Sequence, residues 1–373
     1  MRLSKSILSA KEVSAVTKVL LEDGYLGMGE EVKKFESEIA TYLDVPSNNV
    51  VCVNTGTSAL HLAIEAIVEP GEEVLVPSLT FLSSFQAISG ARAIPVSCDV
   101  YEDTLTIDLE DAEKKITNKT KAIMAVHYAS NPANIEKLYT FSKKYNLRVI
   151  EDAAHAFGCK YKNKKVGSFG DIVCFSFDGI KNITSGEGGA IVTSDEHVLN
   201  IVKDGRLLSI EKDTDMRYKG ERSWDFDVKR QGYRYHMSNL FAAIGRVQLS
   251  RLDNEFAPKR QALLNKYKEL LGTNKQIALL QQESNAYVIP HIFSVRILNN
   301  KRNELKNELD KANVPTGIHY KPNHLLTFYG SGITKLPITE KVYNQILTLP
   351  LHPELKISEV EDICRIINKQ LDK

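Results

Sequence analysis

No apolar run in this chain approaches the ~20 residues needed to cross a bilayer, so a membrane-embedded function is not expected. The opening residues 1–10 mix Arg2 and Lys5 with a few apolar side chains. Lys11 and Glu12 follow at once, and the apolar core is too short for a secretory signal. Cysteine is sparse and unpatterned: Cys52, Cys98, Cys159, Cys174 and Cys364 are odd in number, scattered and without a Cys-x-x-Cys. That argues against a metal cluster or a disulfide framework and for a reducing, cytoplasmic setting. Neither sign of charge dominates. With 48 basic and 47 acidic residues the formal net charge is +1, so no global field would hold nucleic acid or an anionic membrane. Gly-x-Gly-x-x-Gly and Walker loops are missing after the first strand, which counts against an NAD- or ATP-dependent α/β enzyme. Repeats and low-complexity tracts are missing too. What is left is an ordinary globular composition over 373 residues, enough for about two domains.

The densest chemistry lies in residues 175–189, Phe-Ser-Phe-Asp-Gly-Ile-Lys-Asn-Ile-Thr-Ser-Gly-Glu-Gly-Gly. Residues 171–177 before it and 189–193 within and after it read as short buried strands, which places Lys181 in a tight connection between them. Most lysines are solvated charges. This one has apolar strands on both sides, glycines that permit sharp turns and Ser176 just upstream. Partial desolvation lowers a lysine pKa and leaves a neutral amine able to form a Schiff base.

Residues 151–156, Glu-Asp-Ala-Ala-His-Ala, sharpen this reading. Residues 148–151 form a strand pattern, so Asp152 falls at its carboxyl end, where open α/β sheets place their ligands. A carboxylate there also serves as a turn cap. An aspartate on one strand end and a lysine on a later turn are, however, the two protein groups that pyridoxal phosphate requires: one holds the aldehyde, the other keeps the ring nitrogen protonated.

With these residues in hand, the chain resembles the DegT/DnrJ/EryC1/StrS family of sugar-nucleotide aminotransferases, pyridoxal phosphate enzymes of the aspartate-aminotransferase fold type (fold type I). The resemblance is carried by Asn-Thr-Gly-Thr-Ser-Ala-Leu-His-Leu-Ala at 54–63, Pro-Ser-Leu-Thr-Phe at 77–81, Glu-Asp-Ala-Ala-His at 151–155, residues 176–189, Gly-Tyr-Arg-Tyr-His-Met at 232–237 and His-Tyr-Lys-Pro at 319–322. These run in the family's order over nearly the whole chain. The fold implied is α/β, a mostly parallel central sheet flanked by helices, with a smaller carboxyl-terminal α+β domain.

The periodicity agrees. Ser9 and Glu12 form a capping box for a helix expected to bury Val13, Val16 and Leu20 and to stop at Gly24. A helix from about Glu30 places Val32, Phe35, Ile39 and Leu43 on one face. Strands at 50–53, 73–76, 93–97 and 122–126 alternate with helices at 57–68, 109–116 and 134–145, a βαβ rhythm that argues for a parallel sheet covered on both faces. Residues 211–230, rich in charge and holding the single tryptophan, Trp224, read as a solvated loop. A helix over 238–252, with Leu240, Ile244 and Val247 apolar, precedes a proposed boundary: a large cofactor domain at 1–252 and a small domain at 253–373. In the latter a helix at 260–271, a strand at 287–297, a helix at 303–312, a strand into His319 and a helix at 358–371 are expected.

The resemblance implies roles residue by residue. Lys181 would carry the cofactor and move the proton, and Asp152 would hold the ring nitrogen. Gly56 and Thr57, at a helix amino terminus suited to anions, would bind the phosphate together with the hydroxyl of Ser176. Phe81 would stack on the ring and His155, where a glutamine is usual, would lie over it. Arg234 stands where the family has an asparagine that reaches the phosphate of the neighbouring subunit, which implies a homodimer with shared sites and leaves donor carboxylate or sugar diphosphate as other targets. The segment 24–29 is likewise placed near the site across the dimer. Tyr320, Lys321 and His319 match the sugar-nucleotide side. Asp178 replaces a common histidine and His236 a common arginine, while His127 reads equally as a site residue or a structural one. The implied reaction is a ping-pong transamination with L-glutamate as donor and a nucleotide-linked keto sugar as acceptor. The wording around Tyr233 and Ala242 favours C4 of a dTDP-, UDP- or GDP-linked 4-keto-6-deoxyhexose, as in O-antigen or other surface glycan biosynthesis. A C3-aminating enzyme and a non-catalytic regulator binding the cofactor or a sugar nucleotide are the alternatives.

Overall fold

A computed structural model describes residues 1–132, 134–222, 224–330 and 334–372. The central sheet has seven strands, β1 (Val50–Val53), β2 (Glu73–Pro77), β3 (Ile94–Cys98), β4 (Thr120–Val126), β5 (Arg148–Asp152), β8 (Ile172–Ser176) and β9 (Gly189–Thr193), in the order β1-β9-β8-β5-β4-β2-β3. Two short strands, β6 (Lys160–Tyr161) and β7 (Lys164–Lys165), form a side hairpin that β11 (Ala286–Tyr287) joins. β10 (Ile277–Leu279), β12 (Phe293–Ile297) and β13 (Ile346–Leu349) make a separate antiparallel sheet.

Within the large sheet β3, β2, β4, β5 and β8 run parallel, and β9 is antiparallel to both its neighbours. Parallel strands need helical crossovers, and these supply the cover on both faces. The helices are α1 (Ala10–Lys18), α2 (Glu30–Leu43), α3 (Gly56–Glu65), α4 (Leu82–Gly90), α5 (Leu109–Glu113), α6 (Ile135–Tyr145), α7 (Glu196–Gly205), α8 (Asp213–Tyr218), α9 (Asn239–Arg251), α10 (Ala257–Leu271), α11 (Arg302–Lys311), α12 (Pro337–Tyr343) and α13 (Ile357–Leu371). Alternation in the strands sorts the core. Val51, Val53, Ile172 and Cys174 pack with α3 and α7, while Val50, Cys52, Val173 and Phe175 pack with α2 and α9. Helix α2 buries Val32, Phe35, Ile39 and Leu43 as expected. Gly245 of α9 lets the two helices close: a Cβ there would sit 2.6 Å from the Phe35 ring.

Four expectations are corrected. Helix α1 does not bury Val13 and Leu20, which are 66% and 49% exposed. Its capping carboxylate, Glu12, turns inward to Gln248 and Arg251, and this rotates the buried stripe onto Glu12 and Val19. Residues 211–230 are not loop throughout, because α8 lies within them; Ser223 falls outside the described residues, and Trp224 is exposed. The strand expected over 287–297 is shorter: β12 starts at Phe293, and residues 288–292 are irregular. No strand leads into His319; only Gly317 makes a single bridge, to Thr348.

Helix α9 runs through a π-turn at Leu252–Phe256 directly into α10. Beyond it, Leu263, Tyr267, Val295, Leu347, Ile363 and Ile367 belong to a hydrophobic cluster separate from those of the large sheet. The expected division at 252/253 falls at the first residue of that turn.

Candidate active site

The carboxyl ends of β5 and β8 border a cavity of about 350 Å³. Strands β8 and β9 pair residue by residue up to Ser176 opposite Gly189, so the loop between them leaves and re-enters the sheet at adjacent positions. Close approach demands glycine at its return: a Cβ on Gly189 would lie 2.4 Å from the Thr55 carbonyl oxygen. Inside the loop the Lys181 N–H donates to the Asp178 carbonyl (3.1 Å), and the Lys181 side chain enters the cavity. Burial lowers the pKa of its amine, against the opposing pull of Asp152 and Asp178.

Asp152, buried at the end of β5, faces the same cavity. Its Oδ2 accepts from Ser84 Oγ (2.8 Å) and its Oδ1 from the Ala154 N–H (3.2 Å). Burial raises its pKa, while these donors and the charge of Lys181 oppose the shift.

At the opposite wall Thr55 caps α3 by accepting from the Ser58 N–H (3.0 Å), so Gly56 and Thr57 present the first helical N–H groups. Ser176 stands beside them. A Cβ on Gly56 would come within 2.8 Å of the Ser176 Cβ, so this cradle exists only because residue 56 has no side chain. A helix amino terminus with added hydroxyls favours a phosphate.

The remaining wall is aromatic and histidine-rich. Tyr320 OH and His155 Nε2 are 3.0 Å apart, and the Phe81 ring lies 5.4 Å from that of Tyr320. His319 is oriented by a 2.9 Å hydrogen bond between Nδ1 and Thr348 Oγ1. Burial, reinforced by Lys181, depresses the pKa of His155 far below the usual imidazole value and that of His319 to about 4, so both are neutral at pH 7. Sequence reasoning missed His291. It lines the cavity with its ring 4.5 Å from that of His155. The strand pattern over 287–297 concealed it, since an unbroken strand would have given it no special direction.

Nine of the expected site residues, Gly56, Thr57, Phe81, Asp152, His155, Ser176, Lys181, His319 and Tyr320, therefore meet around one cavity. Arg234 and Lys321 are exposed and outside its lining. His127 does not face it: fully buried, it pairs through Nε2 with Glu151 (2.8 Å), a structural role. The donor set fits pyridoxal phosphate, with a desolvated amine for the aldehyde, a buried carboxylate for the ring nitrogen and a helix-terminus cradle for the phosphate.

Residues 6–368 match the model of the DegT/DnrJ/EryC1/StrS aminotransferase family. The chain belongs to this family. The aminotransferase is 36% identical to GDP-perosamine synthase of Escherichia coli O157:H7, over 97% of this chain and 96% of that protein. It is 30% identical to dTDP-4-dehydro-2,3,6-trideoxy-D-glucose 4-aminotransferase of Saccharopolyspora spinosa, over 99% and 96%. A solved structure of Spr1654, described as a putative sugar aminotransferase from Streptococcus pneumoniae in its PLP form, superposes with a TM-score of 0.90 at 27% identity, covering 100% of this chain and 98% of that one. The present chain is thus a transaminase that depends on pyridoxal phosphate, with the α/β fold of its neighbours. No helix among the described residues is long and apolar enough to cross a membrane.

Proposed function

We propose that the aminotransferase moves the amino group of L-glutamate to C4 of a nucleotide-linked 4-keto-6-deoxyhexose, giving a 4-amino-4,6-dideoxy sugar for O-antigen or another surface glycan. The carrying observation is that Lys181 and Asp152 face one cavity, the first with its ammonium form disfavoured by burial. Of the two relatives above, the one named as a 4-aminotransferase supports C4, and the one named for GDP-perosamine supports a nucleotide-linked sugar.

Bound pyridoxal phosphate supplies an electron sink for the carbon that loses its proton. The chain does the rest. Neutral Lys181 takes and returns that proton, and Asp152 keeps a proton on the ring nitrogen by staying ionised beside it. Gly56, Thr57 and Ser176 hold the phosphate, Phe81 and His155 confine the ring, and Tyr320 and His319 meet the sugar nucleotide. Both substrates are anionic, yet among the described residues no arginine lines the cavity of the single chain. We read the missing cations as Arg234 of a second copy and Lys321, which makes the working unit a homodimer. The separate carboxyl-terminal cluster supports a large domain at 1–252 and a small one at 253–373. All five cysteines are buried and free, which fits the cytoplasm, where sugar nucleotides are made.

The test is to incubate the purified protein with pyridoxal phosphate, L-glutamate and a panel of dTDP-, UDP- and GDP-linked keto sugars, and to follow conversion by mass spectrometry and NMR. Amination at C4 of one member is expected. Release of 2-oxoglutarate with no sugar aminated would overturn the acceptor assignment, and an amine at C3 would replace it with the C3 branch.

A further inference from the structure

Residues 289–291 form no sheet ladder, yet every backbone polar group they carry is taken by a buried side chain. The Ile289 N–H donates to Cys159 Sγ (3.3 Å), and the Ile289 carbonyl accepts from Asn182 Nδ2 (3.0 Å) and from the Cys159 thiol (3.7 Å). The carbonyls of Pro290 and His291 accept from Arg260 Nη1 (3.0 and 3.3 Å). The His291 N–H donates to Ser130 Oγ (2.8 Å), and that hydroxyl donates onward to the carbonyl of His155. Proline has no N–H, so nothing is left over.

Two of these partners are immediate neighbours of the chemistry. Asn182 follows Lys181 and also donates to the Phe157 carbonyl (3.1 Å), while Ser130 ties His291 to His155, which meets Tyr320. Another of the four, Arg260, is 2% exposed and meets backbone carbonyls; among the described residues it has no carboxylate partner, and burial alone lowers its pKa. A buried cation without a counter-ion is costly, and hydrogen bonds to backbone carbonyls offset only part of that cost. A sheet ladder would have satisfied the same carbonyls without it.

We propose that residues 289–291 are a strap that positions Lys181 and His155 for transamination, fastened by Asn182, Ser130 and Arg260. Arg260, in α10, fastens the strap within the carboxyl-terminal part, while Asn182 and Ser130 fasten it to the large one. These three are positioning residues: they touch neither substrate nor cofactor but fix the loop that carries the amine and the wall that carries His155. The inference rests on the reading of Lys181 given above.

The test compares Arg260→Lys, Asn182→Ala and Ser130→Ala with wild type and with Lys181→Ala. Hydrogen exchange of the cofactor-free proteins is expected to rise together in peptides covering 179–185 and 289–292. The rate at which the apoprotein takes up added pyridoxal phosphate, followed by absorbance, is expected to fall at least fivefold for Asn182→Ala. Both half-reactions should slow by a similar factor, in kcat more than in KM, with Arg260→Lys the mildest because it keeps a donor. If Arg260→Lys fails to fold, Asn182→Ala and Ser130→Ala decide. Wild-type uptake rates and unchanged exchange at 179–185 in these two would overturn the strap. A visible band that survives in Lys181→Ala would instead overturn the reading of Lys181, so the two failures are distinct.

Discussion

The Ser84 hydroxyl donates to Asp152 Oδ2 at 2.8 Å and is itself within 2.9 Å of Thr80 Oγ1, so a helix α4 side chain holds the carboxylate that faces the cavity. Burial pushes the Asp152 pKa up, and this hydrogen bond pulls it back. Removing it in Ser84→Ala raises the pKa further. A carboxylate works above its pKa and fails as pH falls through it, so the acid limb of the pH–rate profile moves to higher pH. A hydrogen bond to a charged group contributes about 1.5–3 kcal/mol, which corresponds to a displacement of about one pH unit or more. An unchanged acid limb would remove Asp152 as the group that titrates there.

Asp178 bears on the lysine with the opposite sign. Burial lowers the Lys181 pKa, and the charges of Asp152 and Asp178 raise it. In Asp178→Asn one of the two raising charges is lost, the pKa drops further, and more neutral amine is present at any pH below it. The apoprotein should then take up pyridoxal phosphate faster at pH 7 and lose less of that rate as the pH is lowered. Stopped-flow absorbance across a pH series measures both; a slower uptake would contradict the sign.

Gly56→Ala puts a methyl group into the space between α3 and Ser176, where a Cβ would stand 2.8 Å from that of the serine. Overpacking of this kind costs about 1–3 kcal/mol. Placed at the phosphate cradle, that cost appears in cofactor retention, and the dissociation constant should rise about tenfold or more. Equilibrium dialysis against pyridoxal phosphate, with inorganic phosphate as competitor, reads it directly.

Glu12 sets a separate expectation for stability. Burial pushes its pKa up, but hydrogen bonds from Ser9, Arg251 and Gln248 outweigh this and bring it down from 4.5 to about 2. A depressed carboxylate contributes stability that is present above its unfolded pKa and is lost as pH falls between about 4.5 and 2. Urea midpoints of Glu12→Gln should therefore lie below wild type at pH 7, and the gap should narrow through that window. A gap independent of pH would assign the loss to packing alone.

How much of this was legible in the sequence depended on whether a residue's role is set locally. Asp152 ends a strand and Lys181 sits in the glycine-containing loop between two strands, and a strand end with its following loop is a local event that a short window reveals. The face of α1 was misread because its direction is decided by Arg251 and Gln248, more than 200 positions away. His291 was invisible for a related reason: Val-Ile-Pro-His-Ile-Phe has the composition of a strand, and only side chains from four other segments replace the ladder it never forms. Helix α8 hid in a charge-dense stretch because its buried contacts, Asp213 with Arg217, are polar ones that periodicity does not score.

Ser176 and Asp152, the two residues we read as grips on the cofactor, sit on one ladder through the pairing of Ser176 with Gly189 and of Asp152 with Cys174 on the adjoining strand. Tyr320 and His319 hang instead from the carboxyl-terminal portion, through contacts such as that of His319 with Thr348. A tilt of that portion would shift Tyr320 and His319 against the ladder, and through the Tyr320–His155 contact and the strap at 289–291 it would also be felt by the residues mounted there. The wall that meets the sugar and the loop that carries the amine are thus geared together, and a change in the seating of one is transmitted to the other.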